Sequence, residues 1–362
     1  MPNKKRTIFT KILIWRYKYI SERQFILVLS VLVGFLAGLG TVLLKYLTLF
    51  IQSVLEGGFI RNYYYSLYFI FPIVGVWLVY LIKKNFLKKE IGHGISTTLY
   101  AISKRSGIIE RYKMFASLIV APITVGFGGS VGLQGPAVST GAAIGSNVAS
   151  MFHMNAKTRM LLIGCATAGA MSSMFKAPVA AIVFAVEIFS LDLVFTSLVP
   201  LLLASVAAVI TSYFFRGTDV LFSFELLDAW RVKDIIFYVF LGVATGIASV
   251  YFSKMYFLIT RFFGWFSNAY VKIGIAALAI GLMLYLFPPL YGEGYGLINN
   301  LLNGNTEAAL SGIQYQIDFN NIWMVIVILL IIAVFKAIAM TTTFAAGGVG
   351  GIFIPTLFMG SA

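Results

Sequence analysis

Residues 25–51 are apolar except for Lys45, and residues 64–82 carry no charge at all. At about 1.5 Å per residue, each run is long enough for a helix to cross roughly 30 Å of hydrocarbon. Further uncharged or nearly uncharged runs occur at 193–215, 235–253, 273–292 and 319–335, with polar connectors such as 216–234 and 299–318 between them. The pattern predicts ordinary or tilted membrane helices. Residues 114–156 do not fit it. These 43 residues contain no Asp, Glu, Lys or Arg, and as one helix they would be about 65 Å long, twice the hydrocarbon core. The chain must therefore break inside the membrane, and seven glycines between Gly126 and Gly145 say where. Backbone that is not helical at that depth is tolerated only when buried in protein or lining a polar cavity.

A second break resembles the first. From Gly128 the chain reads GGSVGLQGPAVSTGAA, and from Gly347 it reads GGVGGIFIPTLFMGSA. At this offset of 219 residues, Gly128/Gly347, Gly129/Gly348, Gly132/Gly351, Pro136/Pro355, Gly141/Gly360 and Ala143/Ala362 coincide. A weaker echo pairs Gly92-His93-Gly94-Ile95 with Gly294-Tyr295-Gly296-Leu297. Glycine-rich chains also align by accident; the alternative is an internal duplication, the mark of transporter folds whose broken helices meet near the midplane. The division expected on that basis is a basic amphipathic segment at 1–21, a first membrane repeat at 22–215, a linker at 216–230 and a second repeat at 231–362.

Composition agrees with the periodicity. The chain is 60% hydrophobic and 11% charged, with a mean hydropathy of +0.92, which cannot furnish a soluble surface. Its net charge of +14 would on a soluble protein point to nucleic acid. Here the basic residues cluster at the N-terminus and at Lys83, Lys84, Lys88 and Lys89, on the same side after two spans, so the charge sets orientation. The expectation is a multi-pass protein of the inner (plasma) membrane with a cytoplasmic N-terminus, no cleaved signal peptide and no nucleic-acid partner. One cysteine and two histidines, His93 and His153, provide neither a disulfide framework nor a metal cluster, and nothing calls for a cofactor.

Pro136 and Pro355 each suit the start of a helix, where the missing N–H costs nothing. The glycines before them leave backbone N–H groups uncovered. Helix N-termini carry roughly half a positive charge, so two such ends aimed at one point make an anion site. No Lys or Arg lies in either loop. Partial charges hold an anion weakly enough for it to leave again. Close helix packing is the other use of such glycines, but it does not account for a glycine-rich turn ending in proline twice.

Gly92-His93-Gly94-Ile95-Ser96, Gly132-Leu133-Gln134-Gly135-Pro136 and Gly351-Ile352-Phe353-Ile354-Pro355 resemble the three anion-site signatures of the CLC chloride channels and proton-coupled chloride transporters. The segment 336–351 and the helix from Ala177-Pro178 to Glu187 agree as well. The resemblance implies an all-α polytopic membrane fold, a CLC-like inverted repeat with broken, tilted helices and re-entrant anion-site loops. It implies a homodimer in membrane lipid, with one pathway per subunit for chloride or a similar small monovalent anion. It further implies that His93, Gly94, Ile95, Gln134, Gly135, Ile352 and Phe353 surround the anion. Set against the family, the chain reads as C-terminally incomplete: it stops at Ala362, before the last membrane helices and the tyrosine that usually closes the inner side of the site.

Departures from the family pattern carry the mechanism. Gln134 stands where a glutamate usually occupies the pathway as an anion mimic, and Ile188 stands where proton-coupled members have an inner glutamate. Both are non-titratable. Leu133 replaces a common arginine, Ser96 a proline, and His93 a serine, where an imidazole offers an N–H or a charge. Glu187, next to Ile188, matches an acid also present in plain channels, and a structural role is expected of it. Lys176, before Ala177-Pro178, either snorkels to water or draws anions to a vestibule. The expectation is passive, channel-like conduction; the alternative is a proton-coupled chloride antiporter with an unrecognised proton route. A remote alternative is an intramembrane serine hydrolase, because Gly128-Gly129-Ser130-Val131-Gly132 fits G-x-S-x-G. That motif needs a strand-to-helix turn with histidine and acid partners, and the expectation is that the protein is not an enzyme.

Overall fold

The computed structural model describes residues 18–56, 64–88, 91–92, 94–190, 195–218, 221–222, 231–313 and 315–362. The basic segment up to residue 17 and His93 lie outside the described residues. Fourteen α-helices follow in order among the described residues: α1 (Glu22–Glu56), α2 (Tyr64–Ile82), α3 (Gly94–Lys104), α4 (Lys113–Gly126), α5 (Gln134–Met151), α6 (Ala156–Phe175), α7 (Pro178–Phe189), α8 (Phe195–Arg216), α9 (Ile235–Gly264), α10 (Ala269–Leu286), α11 (Tyr295–Leu302), α12 (Thr306–Ala309), α13 (Ile322–Ala345) and α14 (Phe353–Ser361). Among the described residues, six apolar stretches are long enough to cross a bilayer: Glu22–Leu55, Phe69–Leu87, Thr196–Arg216, Val232–Gly264, Ala269–Leu286 and Ile322–Ala345. The protein is an all-α, multi-pass integral membrane protein. The only β pairing among the described residues is one isolated bridge, and it lies at the breaks.

Two compact units divide the chain. The first comprises Met1–Leu43, Gly94–Leu118 and Ala137–Asp219. Its centre is α6, which packs against α7 and α8, with small residues letting the helices approach closely. A Cβ on Gly34 would lie 2.2 Å from the carbonyl oxygen of Ala204, and one on Gly145 2.4 Å from that of Leu162. Side chains tie the backbones together: Ser172 Oγ donates to the Ser205 carbonyl (2.9 Å) and Ser212 Oγ to the Ser173 carbonyl (3.0 Å). Val138, Ala142, Ile163, Met171, Ala181 and Phe189 fill one side of this unit.

The second unit comprises Leu44–His93, Ile119–Pro136 and Val220–Ala362. Here α2 packs on α10, and α13 packs on α9, α10 and α14. The expected break in 114–156 is present, because α4 stops at Gly126 and α5 starts at Gln134. The other break follows α13, which stops at Ala345, with α14 starting at Phe353. Stop and start are both displaced by the 219-residue offset seen in the sequence.

The two turns are built alike. Gly128 (φ 95°) and Gly347 (φ 91°) take the left-handed conformation that glycine adopts freely. The Gly129 N–H donates to the Thr124 carbonyl (2.8 Å) and the Gly348 N–H to the Thr343 carbonyl (2.9 Å). The threonine hydroxyls are exchanged between the turns: the Ser130 N–H donates to Thr343 Oγ1 (3.2 Å), and the Val349 N–H donates to Thr124 Oγ1 (3.1 Å). Gly132 and Gly351 then pair as an antiparallel bridge, each N–H donating to the other's carbonyl (3.0 and 2.7 Å). A Cβ on Gly351 would fall 2.5 Å from the Gly135 nitrogen, so side chains are excluded where the strands touch. The reciprocal pattern is an inverted repeat meeting itself, and it gives the exposed peptide groups of both breaks partners within the protein.

Several helix boundaries depart from the hydropathy runs. The run 273–292 is not one span, because α10 ends at Leu286 and Pro288–Leu290 form a short 3₁₀ turn; the two prolines, 288 and 289, cannot continue the helix. The run 319–335 ends at Lys336 only in its apolarity. Helix α13 carries that lysine inside and continues to Ala345.

Candidate functional site

Gln134 opens α5, and its side chain is 1% exposed. Its Nε2 donates to the Tyr295 hydroxyl (2.7 Å) and lies 3.4 Å from Glu293 Oε1. The backbone N–H of Leu133, the residue before the helix, donates to the same carboxylate oxygen at 2.9 Å. Gln134 Oε1 is buried without a donor. It folds back over Gly132, where a Cβ would meet it at 2.2 Å. An amide, a phenol and a carboxyl therefore cluster at the first break, at the end of α5 that carries the helix's partial positive charge.

Glu293 was not singled out by its sequence context, yet it is the sole acid between Asp234 and Glu307. It sits between Gly292 (φ 57°) and Gly294 (φ 84°), two left-handed residues that turn the chain sharply on either side. Lysines hold this turn. Lys336, fully buried on α13, donates from Nζ to the carbonyls of Gly292 (3.0 Å) and Leu290 (3.3 Å) and lies 4.6 Å from the Phe358 ring centre. Buried Lys45 of α1 lies 5.3 Å from the Tyr295 ring centre. Glu293 belongs to the connection between α10 and α11, outside the six long spans. Burial pushes its carboxyl above the ordinary range, opposed by the Lys45 charge and by hydrogen bonds from Leu133, Gln134 and Tyr295.

The loops were expected to present dipoles and to contain no Lys or Arg of their own. Neither loop contains one, but Lys83 donates to the Gly347 carbonyl (2.5 Å), and Lys336 and Lys45 flank the Glu293 turn. Chain positions remote in sequence supply these charges. Pro136 and Pro355 fall two residues inside α5 and α14, in the first turn, where backbone N–H groups have no intrahelical acceptor.

Gln134, Gly135, Pro136, Ile352, Phe353 and Pro355 all belong to the second unit, and the Gly132–Gly351 bridge joins their two segments. Gly94 and Ile95 open α3 in the first unit, and His93 lies outside the described residues. In the same first unit, Lys176 caps α6 in a left-handed conformation (φ 57°) and donates to the Gly217 carbonyl (2.5 Å), just past the C-terminus of α8. A cation is favoured at that helix end. Glu187 is exposed on α7, beside half-buried Ile188. Ser130 is buried, and its hydroxyl donates to the Leu290 carbonyl (2.7 Å).

Residues 74–362 match the profile of the voltage gated chloride channel family. The chain belongs to that family. Among its relatives, the H(+)/Cl(-) exchange transporter ClcA of Vibrio cholerae is 28% identical over 245 residues, covering 66% of this chain and 48% of the relative. The voltage-gated ClC-type chloride channel ClcB of Salmonella typhimurium is 25% identical over 253 residues, covering 68% and 54%. The chain thus spans about half the length of these two curated relatives. Among solved structures, a CLC-type fluoride/proton antiporter superposes with a TM-score of 0.72 at 22% identity, covering 91% of this chain and 77% of that one. The CLC fold, with its inverted repeat and broken helices, is the fold of this protein.

Proposed function

We propose that this CLC-family protein carries chloride or a similar small monovalent anion across the membrane by passive, channel-like conduction. The observation that carries this reading is Gln134, an uncharged amide at the N-terminus of α5 beside the bridge that joins the two breaks. An amide neither competes with the anion as a charge nor carries a proton, and Ile188 does not titrate either. In this reading His93, Gly94, Ile95, Gln134, Gly135, Ile352 and Phe353 line the path, and Lys176 and Glu187 belong to a vestibule. The functional molecule is a homodimer in the inner membrane with cytoplasmic N-termini, built from the repeats 22–215 and 231–362. It acts by electrostatics without a cofactor and is not an enzyme.

Proton-coupled exchange is the second reading. It is favoured by Glu293, a titratable group against Gln134, and by relatives named as exchangers and antiporters. Anion flux from proteoliposomes holding the full-length protein, run with chloride, nitrate and fluoride and with and without a pH gradient, separates the two. Passive conduction gives anion efflux with no fixed proton count. Chloride-driven proton uptake at a constant nonzero stoichiometry would defeat it.

A further inference from the structure

Away from both breaks, the first unit holds a cavity of about 590 Å³ at one end of its helices. That volume is in the range of ligand sites. Helices α1, α6 and α8 all begin at this cavity, and α7 ends there at Phe189. Ile26, Leu161 and Val199 give it apolar walls. Arg23 and Lys157 also line it and are exposed, which puts them at its mouth, and neither makes an ion pair among the described residues. Glu22 is the one acid lining the cavity, and the hydroxyls of Thr196 and Ser197 add donors on the α8 side.

Two basic side chains against one acidic, at the partly positive ends of three helices, favour an anion at the mouth. The walls behind the mouth favour hydrocarbon. A free phosphate makes no use of these walls, and a lipid with a neutral headgroup makes none of the two cations. The chain leading into α1 adds Lys4, Lys5, Arg6, Lys11 and Arg16, the kind of basic run that meets an anionic lipid surface next to a membrane helix.

We infer that this cavity binds an anionic phospholipid, with its phosphate at Arg23 and Lys157 and an acyl chain along Ile26, Leu161 and Val199. In the orientation proposed above, this end faces the cytoplasm, where the membrane surface is negative. The site itself does not depend on how the anion crosses the membrane.

The test is native mass spectrometry of the full-length protein in a neutral detergent, titrated with phosphatidylglycerol, with phosphatidylcholine of the same acyl chains, and with inorganic phosphate. One phosphatidylglycerol per protomer is retained in preference to phosphatidylcholine, and inorganic phosphate does not displace it. Arg23→Gln with Lys157→Gln lowers that preference by about thirtyfold, the combined worth of two basic side chains at an anionic lipid. Both positions are exposed, so the fold is little disturbed. Equal retention of the two lipids overturns the inference, as does an unchanged preference in the double variant. Displacement by inorganic phosphate makes the cavity a phosphate site and overturns the lipid assignment. A double variant that changes the oligomeric state and leaves lipid retention as it was makes this face an interface between copies, and overturns it too. If the double variant is not monodisperse, raising the salt on the wild type decides: a preference that falls with salt supports the inference, and one that does not change overturns it.

Discussion

The two breaks share a backbone but not a setting. Each turns at a left-handed glycine, takes one bond from a glycine N–H to a threonine carbonyl, and lends that threonine's hydroxyl to the other. The residues that follow differ. Leu133 is 1% exposed and its N–H is held by Glu293, whereas its repeat mate Ile352 is 47% exposed. The first turn rests against Tyr291 and Leu284, and the second has Lys83 on its carbonyl. What geometry demands is common to both, namely the bonds that let a helix stop inside a membrane. The electrostatics come from side chains elsewhere, and so one break is covered by a carboxylate and the other meets an ammonium.

Substitution at the paired positions tests this contrast most severely. Leu133→Ala opens a cavity in a fully enclosed site and is expected to cost about 3 kcal/mol, whereas Ile352→Ala at a half-open position costs about 0.5 kcal/mol. Thermal unfolding of the two variants in detergent reads the difference, and equal shifts would show that the breaks are equivalent after all. Lys336→Met comes next. It removes the donor to the Leu290 and Gly292 carbonyls while keeping most of the apolar stem, and an expected loss of about 2 kcal/mol follows from losing hydrogen bonds made by a charged group.

The break at 126–134 was legible because 43 uncharged residues exceed a membrane's thickness, and the repeat was legible because glycine and proline cannot be exchanged for other residues where φ is positive or backbones touch. Thr124 and Thr343 were not. Each lies before the first glycine, inside what reads as an ordinary apolar helix, and its cross-bond depends on how the chain folds back. Lys336 misled in the other direction: a charge ends an apolar run on paper, yet here the ammonium finds two carbonyls and α13 runs on. Glu293 was hidden by its setting, since a single acid between two glycines carries no motif of its own. Its role depends on Leu133 and Gln134, some 160 residues earlier, and no local pattern reveals such a partner.

The exchanged threonines offer the smallest and sharpest test. Thr124→Val and Thr343→Val are close to isosteric, so packing is little disturbed, but each leaves one buried N–H without its acceptor: Val349 in the first case and Ser130 in the second. A buried donor left unpaired costs about 1–3 kcal/mol. If the breaks are equivalent in their backbone, as the reciprocal bonds indicate, the two variants should lower stability equally, by about 1 kcal/mol each. The threonine pair shares one junction, so the double variant should depart from the sum of the singles. A large loss in one variant and none in the other, measured by thermal unfolding in the same detergent, would mean that the junction relies on one threonine. The symmetry would then be a property of shape alone and not of energy.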